Sequence, residues 1–160
     1  MQLSAGHPRR GLAKGFSLLE LVMVVAIVGI VSAIVVPRYS AAACNYRAEV
    51  AARRVAKDIA LAQSRARTLS ASQTITFNAA TGQYSILGMT NPDRPASAYT
   101  VKLGDPPYQA VLVSVTIGAG TSLTFNGYGV PSSGGTIVLQ AGDAQRTVVI
   151  DPITGAATVQ

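Results

Sequence analysis

The longest apolar stretch of the chain runs from Phe16 to Val36 and contains a single charged residue, Glu20. An α-helix rises about 1.5 Å per residue, so a helix of this length spans roughly 30 Å, the thickness of the hydrocarbon core of a bilayer. The pattern therefore predicts a transmembrane helix over residues 16–36. Residues 1–15 form a short basic leader, and residues 37–160 have the pattern of an ordinary soluble domain.

A second helical pattern begins at Pro37. Small and apolar residues recur there in steps of three and four, which places them on one face of a helix: Ala48, Ala52, Val55, Ile59, Ala62, Ala66 and Leu69. Because proline disturbs a helix, we expect one long helix from about Phe16 to about Leu69 with a kink at Pro37. Residues 37–70 are then its amphipathic continuation.

From residue 71 the pattern changes to short strands separated by Gly, Pro, Asn and Asp. The predicted strands cover residues 74–78, 84–87, 100–103, 110–117, 121–125, 136–140, 145–150 and 156–159. Residues 88–99 contain two prolines and are predicted to form a surface loop. A long helix followed by a run of antiparallel strands indicates an α+β fold, with the helix packed on an antiparallel β-sheet domain over residues 71–160.

Glu20 is the anomaly of the apolar run, because an ionised carboxylate inside a membrane segment is costly and is usually paired or functional. It lies beside the small-residue junction Lys14-Gly15-Phe16. A cut after Gly15 would leave a free ammonium group on Phe16, one helical turn from Glu20. The carboxylate would then neutralise the ammonium of its own or a neighbouring chain, which hydrocarbon favours over two separate charges. A position near the helix end, where the side chain reaches headgroups or water, is the simpler alternative.

The run Gly15-Phe16-Ser17-Leu18-Leu19-Glu20, followed by the apolar helix and Pro37, resembles the class III signal of type IV pilins and type II secretion pseudopilins. The resemblance implies that a prepilin peptidase cleaves after Gly15 and that the new terminus, Phe16, is methylated. It also implies that Glu20 acts in filament assembly and that Pro37 is the helix-distorting proline. The expected partners are other pilins or pseudopilins, the prepilin peptidase and an inner-membrane assembly platform.

Three segments of the C-terminal half are similar to the GspH/FimT group of minor pseudopilins and minor type IV pilins. They are the helix end Ala62–Arg67, the loop with Phe125, Gly127 and Gly129, and the hairpin from Gly135 to Ile150 with the following Thr154-Gly155. Members of this group often have arginine after the last glycine, whereas Gly155 is followed here by Ala156 and Ala157. DNA binding attributed to that region in some members is therefore not transferred to this chain.

Composition argues against an enzyme. The only histidine, His7, lies in the leader, and the only cysteine is Cys44. A Ser-His-Asp triad, a Cys-His pair, a cysteine-based zinc site and an internal disulfide are therefore not expected in the processed chain. We expect no catalytic residues, no cofactor and no metal.

The net charge of +6 is concentrated in the leader and in the helix after Pro37. Arg53, Arg54, Lys57, Arg65 and Arg67 form a candidate basic contact face, which could meet phosphates of DNA or anionic lipid. A solvated helix face, or a face that pairs with acidic patches of adjacent pilins, is the competing interpretation. Aromatic residues interleaved with the cations, which mark single-strand binding, are absent.

Two other N-terminal signals compete with the pilin-like one. Ala41-Ala42-Ala43 resembles a signal-peptidase site, and Cys44 resembles a lipoprotein cysteine. The apolar run is longer than a signal-peptide core, and Pro37 and Arg38 separate it from the alanines.

The sequence thus favours a minor, GspH-like pseudopilin of a type II secretion system, a structural subunit of a periplasmic pseudopilus that drives protein secretion. It would be a single-pass protein of the bacterial inner membrane with its C-terminal domain in the periplasm. A FimT-like minor type IV pilin, for pilus assembly or DNA uptake, is the alternative.

Overall fold

The computed structural model describes residues 15–92 and 94–160. It contains one helix, α1 (Leu18–Leu69), followed by eight strands. The strands are β1 (Gln73–Asn78), β2 (Gln83–Asn91), β3 (Arg94–Lys102), β4 (Val111–Ile117), β5 (Ser122–Phe125), β6 (Gly135–Ala141), β7 (Ala144–Ile150) and β8 (Ala157–Val159). The predicted α+β class, a long N-terminal helix on antiparallel strands, is confirmed. Apart from Gly15, the predicted leader lies outside the described residues.

The chain divides into two compact units, one ending at Arg38 and the other comprising Tyr39–Gln160. In the first unit, the large apolar side chains of α1 are exposed from Leu18 to Val36. This part of α1 is long and apolar enough to cross a membrane, judged by length and composition. The predicted domain boundaries, including the division at residues 36 and 37, remain predictions because α1 is continuous across that point.

The strands of the second unit form two antiparallel sheets rather than one. Sheet A has the order β3-β2-β1-β5 and sheet B the order β4-β6-β7-β8. The chain therefore leaves sheet A after β3, starts sheet B with β4, returns to pair β5 with β1, and completes sheet B with β6 to β8. Local strand patterns do not reveal this division, because β1 and β5 pair across a sequence separation of more than 40 residues.

The core is a single cluster shared by the helix and both sheets. The helix contributes mainly small residues that are fully buried: Ala48, Ala51, Ala52, Val55, Ala62 and Ala66. The strands contribute the bulk, including Tyr84, Leu123, Phe125, Ile137 and Leu139. Six of the seven residues of the predicted apolar stripe are buried. Leu69 is the exception, because α1 ends there and 56% of its surface is exposed.

The prediction of a surface loop over residues 88–99 is wrong. Strand β2 continues to Asn91 and β3 starts at Arg94, so most of this segment is a hairpin. Strand β3 is an edge strand of sheet A, where proline is tolerated because an outward-facing position needs no amide hydrogen. Gly88 has a φ of 71° and lies where the β2–β3 register shifts, as expected for a glycine at a bulge.

Candidate functional site

Gly15 and Phe16 lie immediately before α1, and the side chain of Phe16 is 83% exposed. Ser17 is the N-cap of the helix. Its Oγ accepts a hydrogen bond of 3.1 Å from the backbone N–H of Glu20, and its carbonyl accepts the first helical bond from Leu21. Serine satisfies an N–H group that has no partner within the first turn. The peptide bond between Gly15 and Phe16 therefore lies outside the helix, and Phe16 is two residues before the first residue of the helix.

Glu20 is the third residue of α1 and the acid of its first turn. A carboxylate at this end of a helix is favoured by the partial positive charge of the helix dipole. The side chain is exposed and is surrounded along the helix by exposed Leu and Val residues. Its geometry leaves it accessible to a cation from outside this chain. The assembly role of Glu20 and the kink at Pro37 remain predictions.

The candidate basic face is largely engaged in contacts within the domain. Arg53 Nε donates a 2.6 Å hydrogen bond to Glu49, and Arg54 binds Asp58. Arg65 Nε donates to Gln73 Oε1 and its Nη2 to the carbonyl of Gly88. Lys57 is exposed and lines a shallow groove of about 290 Å³ with Val50, Arg53, Arg54 and Tyr108. Arg67 is also exposed, at the C-terminal end of α1.

Sequence reasoning missed a buried polar cluster centred on Asp58, a helix residue that is 5% exposed. Its Oδ2 accepts hydrogen bonds from Tyr84 Oη at 2.6 Å, Tyr99 Oη at 2.9 Å and Arg54 Nε at 3.0 Å. Arg54 Nη2 also donates to Tyr99 Oη at 2.7 Å. Spacing could have revealed that Asp58 is buried, though not its partners, because it follows Val55 by three residues and precedes Ala62 by four, on the apolar face.

The cluster fastens α1 to the β2–β3 hairpin, because Tyr84 lies on β2 and Tyr99 on β3. Burial raises the pKa of both tyrosines, and the negative charge of Asp58 raises it further. Burial alone would lower the pKa of Arg54, but its hydrogen bond to Asp58 and the charge of that carboxylate hold the pKa above its usual value. The two hydroxyls therefore stay protonated as donors to a charged acceptor, which makes strong hydrogen bonds.

A second acid, Glu49, connects α1 to sheet B. Its two carboxylate oxygens accept hydrogen bonds from Arg53 Nε at 2.6 Å and from Arg146 Nε of β7 at 2.9 Å. These two hydrogen bonds, that from Arg53 first, lower the pKa of Glu49. The turn that precedes β7 also approaches the helix, since a Cβ at Gly142 would lie 2.6 Å from Cys44 Sγ.

The C-terminal end of α1 is held by two loops, residues 126–131 and residues 151–155. The side-chain amide of Gln63 donates to the carbonyls of Gly129 at 2.8 Å and Thr154 at 2.6 Å, so it joins both loops to the helix. The helix itself ends in a Schellman motif. Ser70 has a φ of 48°, and the amide of Ala71 bonds the carbonyl of Ala66.

The three glycines noted in these loops are required by close packing. A Cβ at Gly127 would lie 2.7 Å from the backbone carbon of Ser70, and one at Gly129 would overlap the side chain of Arg67. A Cβ at Gly155 would lie 2.6 Å from Phe125 and 3.0 Å from Gln63 Nε2. The structure thus gathers the helix end, the Phe125–Gly129 loop and Thr154-Gly155, which are distant in sequence, into one place.

Within residues 15–92 and 94–160, no group of three or more His, Cys, Asp or Glu side chains is arranged to hold a metal ion. The second unit contains hydrogen bonds between the helix and two sheets, and surface grooves. The first unit contains an exposed apolar helix.

Comparison with known families supports this description. The model of the family described as type II transport protein GspH matches residues 51–155, and that of the prokaryotic N-terminal methylation motif matches residues 10–36. No curated protein matches the chain.

Two crystal structures of the type IV minor pilin FimU of Pseudomonas aeruginosa strain PAO1 share the fold. One, in space group P21, is 17% identical with a TM-score of 0.50 and covers 71% of this chain and 86% of that one. The other, in space group P65, is 16% identical with the same TM-score and covers 70% and 91%. At this identity the likeness shows the fold alone.

The methylation motif and the apolar helix fit a pilin that is anchored in the inner membrane. The family model covers more than half of the chain, and this family is one of structural subunits that assemble with other pilins rather than of enzymes. The chain therefore belongs to the GspH family and is a pilin-like structural subunit with an N-terminal methylation motif.

Proposed function

We propose that this subunit is a minor pseudopilin of a type II secretion system, a structural part of a periplasmic pseudopilus that drives protein secretion. The observation that carries the proposal is the GspH family match over residues 51–155, joined to a methylation motif over residues 10–36. The protein waits in the inner membrane with its C-terminal domain in the periplasm, and an inner-membrane platform adds it to the filament.

Maturation removes the leader. A prepilin peptidase cleaves between Gly15 and Phe16, and Phe16 is then methylated on its new amino group. The position supports this step, because both residues precede the N-cap Ser17 and are exposed. Cleavage leaves the helix itself intact and places an ammonium group one turn from Glu20.

Assembly exploits that charge pair. In hydrocarbon, Glu20 of one subunit binds the Phe16 ammonium of a neighbour, because each charge alone is costly there. The pair sets the axial position of one helix against the next. The exposed apolar residues between Leu18 and Val36 exchange lipid contacts for contacts with other helices.

The experiment compares processing and assembly in the native host. The mass of the mature N-terminus is measured for the wild type and for Glu20→Ala, Glu20→Gln and Asp143→Asn, the last altering an exposed acid outside the apolar run. We expect every chain to begin at methylated Phe16, but the two Glu20 variants to stay in the membrane while Asp143→Asn enters filaments. A mature chain that retains residues 1–15, or begins near Cys44, refutes the proposal.

A minor type IV pilin, FimT-like and serving pilus assembly or DNA uptake, is the second candidate. The solved structures that share the fold are described as a type IV minor pilin. Deleting the gene separates the two, since loss of secreted proteins supports the secretion role and loss of pili supports the other. DNA uptake has less support, because Arg53, Arg54 and Arg65 are already bound within the domain.

A further inference from the structure

The loops at the end of α1 expose large apolar side chains. Tyr128 is 87% exposed, Ile153 is 79% exposed and Val130 is 48% exposed. These three residues together with Arg67 are called the helix-end surface. Gln63 Nε2 reaches the carbonyl next to Val130 and the carbonyl next to Ile153, so the two loops that present these side chains are direct neighbours.

Both loops are held in one conformation by their own hydrogen bonds. Asn126 Oδ1 accepts from the backbone N–H groups of Tyr128 at 3.0 Å and Val130 at 2.9 Å. Asp151 Oδ1 accepts from those of Ile153 at 2.9 Å and Thr154 at 2.6 Å. Exposed apolar side chains on rigid loops lose little conformational freedom when they are covered, which favours binding.

Arg67 is the only member of the helix-end surface with a charge. Its side chain lies over Gly129 and lines an open groove of about 590 Å³ with Ser70, Asn126, Gly127 and Tyr128. Among residues 15–92 and 94–160, the structure records no hydrogen bond or ion pair of its guanidinium. Arg53, Arg54 and Arg65 of the same helix are all bound to acceptors within the domain.

We propose that the helix-end surface docks a loop of a different filament subunit, one that carries an aspartate or glutamate flanked by apolar residues. The carboxylate pairs with Arg67, and the apolar residues cover Tyr128, Val130 and Ile153. This inference rests on the proposed function, since it presumes a filament of several subunits. Tyrosine and arginine, with tryptophan, are enriched among the residues that contribute most of the binding energy of protein interfaces.

The charge balance favours a protein over a nucleic acid. A nucleic acid presents a row of phosphates and needs several cations along its path. The helix-end surface offers one cation among three apolar residues. One positive charge suits one carboxylate, and an arginine beside exposed tyrosine and aliphatic side chains matches the enrichment of aromatic residues and arginine at protein interfaces.

The test uses the full chain in its native host, with the photoreactive residue p-benzoylphenylalanine at position 128. The same residue at position 87 is the matched control, because Leu87 is 72% exposed on β2 but lies outside the helix-end surface. We expect position 128 to crosslink to another pilin-family subunit, at a peptide containing an acid, and position 87 to give no such product. The crosslinked peptides are identified by mass spectrometry.

Charge variants then test the ion pair. Arg67→Glu is expected to reduce the crosslink at least about tenfold, Arg67→Lys to retain most of it, and arginine in place of the identified partner acid to restore it with Arg67→Glu. Thermal unfolding of each full chain in detergent verifies folding. Ile153→Ser, at the tip of a turn, provides a second variant that weakens the crosslink without touching the helix.

The docking inference is overturned if a processed, filament-incorporated chain gives no subunit crosslink from position 128, if the product is DNA, or if Arg67→Glu leaves the yield unchanged. The mass of the N-terminus is measured in the same samples. An unprocessed chain refutes the proposed filament role, which distinguishes that failure from a failure of the helix-end surface alone.

Discussion

Replacing Asp58 by alanine tests whether the polar cluster stabilises the attachment of α1 to sheet A. The substitution removes one buried carboxylate and leaves the hydroxyls of Tyr84 and Tyr99 and the guanidinium of Arg54 without their common acceptor. The three donors are not equally affected. Tyr84 is 2% exposed and its hydroxyl has no other recorded hydrogen-bond partner among the described residues, whereas the hydroxyl of Tyr99 keeps its contact with Arg54.

The magnitude follows from these differences. A buried hydroxyl left without a hydrogen-bond partner, as that of Tyr84 would be, costs about 2 kcal/mol. The loss of one of the two hydrogen bonds of the Tyr99 hydroxyl costs about 1 kcal/mol. The Arg54 side chain is 39% exposed, so water replaces part of the lost ion pair and its share is about 1 kcal/mol. We therefore expect Asp58→Ala to lower the free energy of unfolding by about 4 kcal/mol, in line with the loss of one partner of a buried pair. Asp58→Asn keeps an oxygen acceptor and is expected to lose about half as much.

The assay is urea unfolding of the full chain in mild detergent, followed by circular dichroism and tyrosine fluorescence. Asp143→Ala serves as the control, because Asp143 is an exposed acid in the β6–β7 turn and its loss is expected to change stability by less than about 0.5 kcal/mol. If Asp58→Ala lowers the free energy of unfolding by less than about 1 kcal/mol, the cluster does not stabilise the domain, contrary to this prediction. A double-mutant cycle with Tyr84→Phe measures the coupling directly.

Three further predictions concern pH and backbone geometry. Burial and the charge of Asp58 raise the pKa of Tyr84 above its usual 10.0. As the pH rises, this tyrosine therefore loses its proton in the unfolded chain before it does so in the folded chain. The free energy of unfolding is unaffected below pH 10 and falls above it by about 1.4 kcal/mol per pH unit. Tyr84→Phe should reduce this alkaline loss, measured by urea unfolding up to about pH 11. Gly127→Ala is expected to cost about 1–3 kcal/mol because it meets the backbone of Ser70, whereas Gly120→Ala, in open space, should be nearly neutral; thermal unfolding compares them. Ser70→Gly should stabilise the chain by about 0.5–1 kcal/mol, because Ser70 has a φ of 48°, and the same melts measure it.

Each of these expectations has a result that contradicts it. An alkaline stability profile that is the same with and without Tyr84→Phe means that this phenol is not the responsible group. Equal melting temperatures for Gly127→Ala and Gly120→Ala mean that the end of α1 shifts to accommodate the added methyl group without a loss of stability. A loss of stability in Ser70→Gly shows that the serine side chain contributes more than its backbone conformation costs.

The helix was predictable because its signal is local. Small residues repeat with the period of an α-helix from Ala48 to Ala66, and all of those predicted are buried. Leu69 continues the same step but is exposed, because it is the last residue of the helix and periodicity alone does not show where a helix stops packing on the core. The hairpin of β2 and β3 was misjudged for a related reason. Pro95 suggests a loop, but an edge strand accepts it, and only the paired partner identifies an edge.

The parts of the candidate site also differ in how far the sequence alone could predict them. Gly15, Phe16 and Glu20 lie within six consecutive residues, so their likeness to a processing signal is visible in the sequence, and their roles remain predictions. The Asp58 cluster joins residues 26 and 41 positions apart. The glycines at 127, 129 and 155 have a steric purpose that emerges only when the loops meet the helix end. Contacts between distant segments carry no local signal in a single sequence.

The alanine face of α1 makes the domain sensitive to substitutions in two opposite ways. On the helix side, Ala52 and Ala62 are fully buried in the cluster that the helix shares with the strands, so a larger residue there is expected to overpack the core at a cost of about 1–3 kcal/mol. On the strand side, shortening Leu123 or Ile137 leaves an empty space at a cost of about 2–5 kcal/mol. A side chain that is too large on the helix and one that is too small on a strand can therefore compensate for each other. We expect genetic suppressors of enlarging helix substitutions to be replacements by smaller residues in the strands.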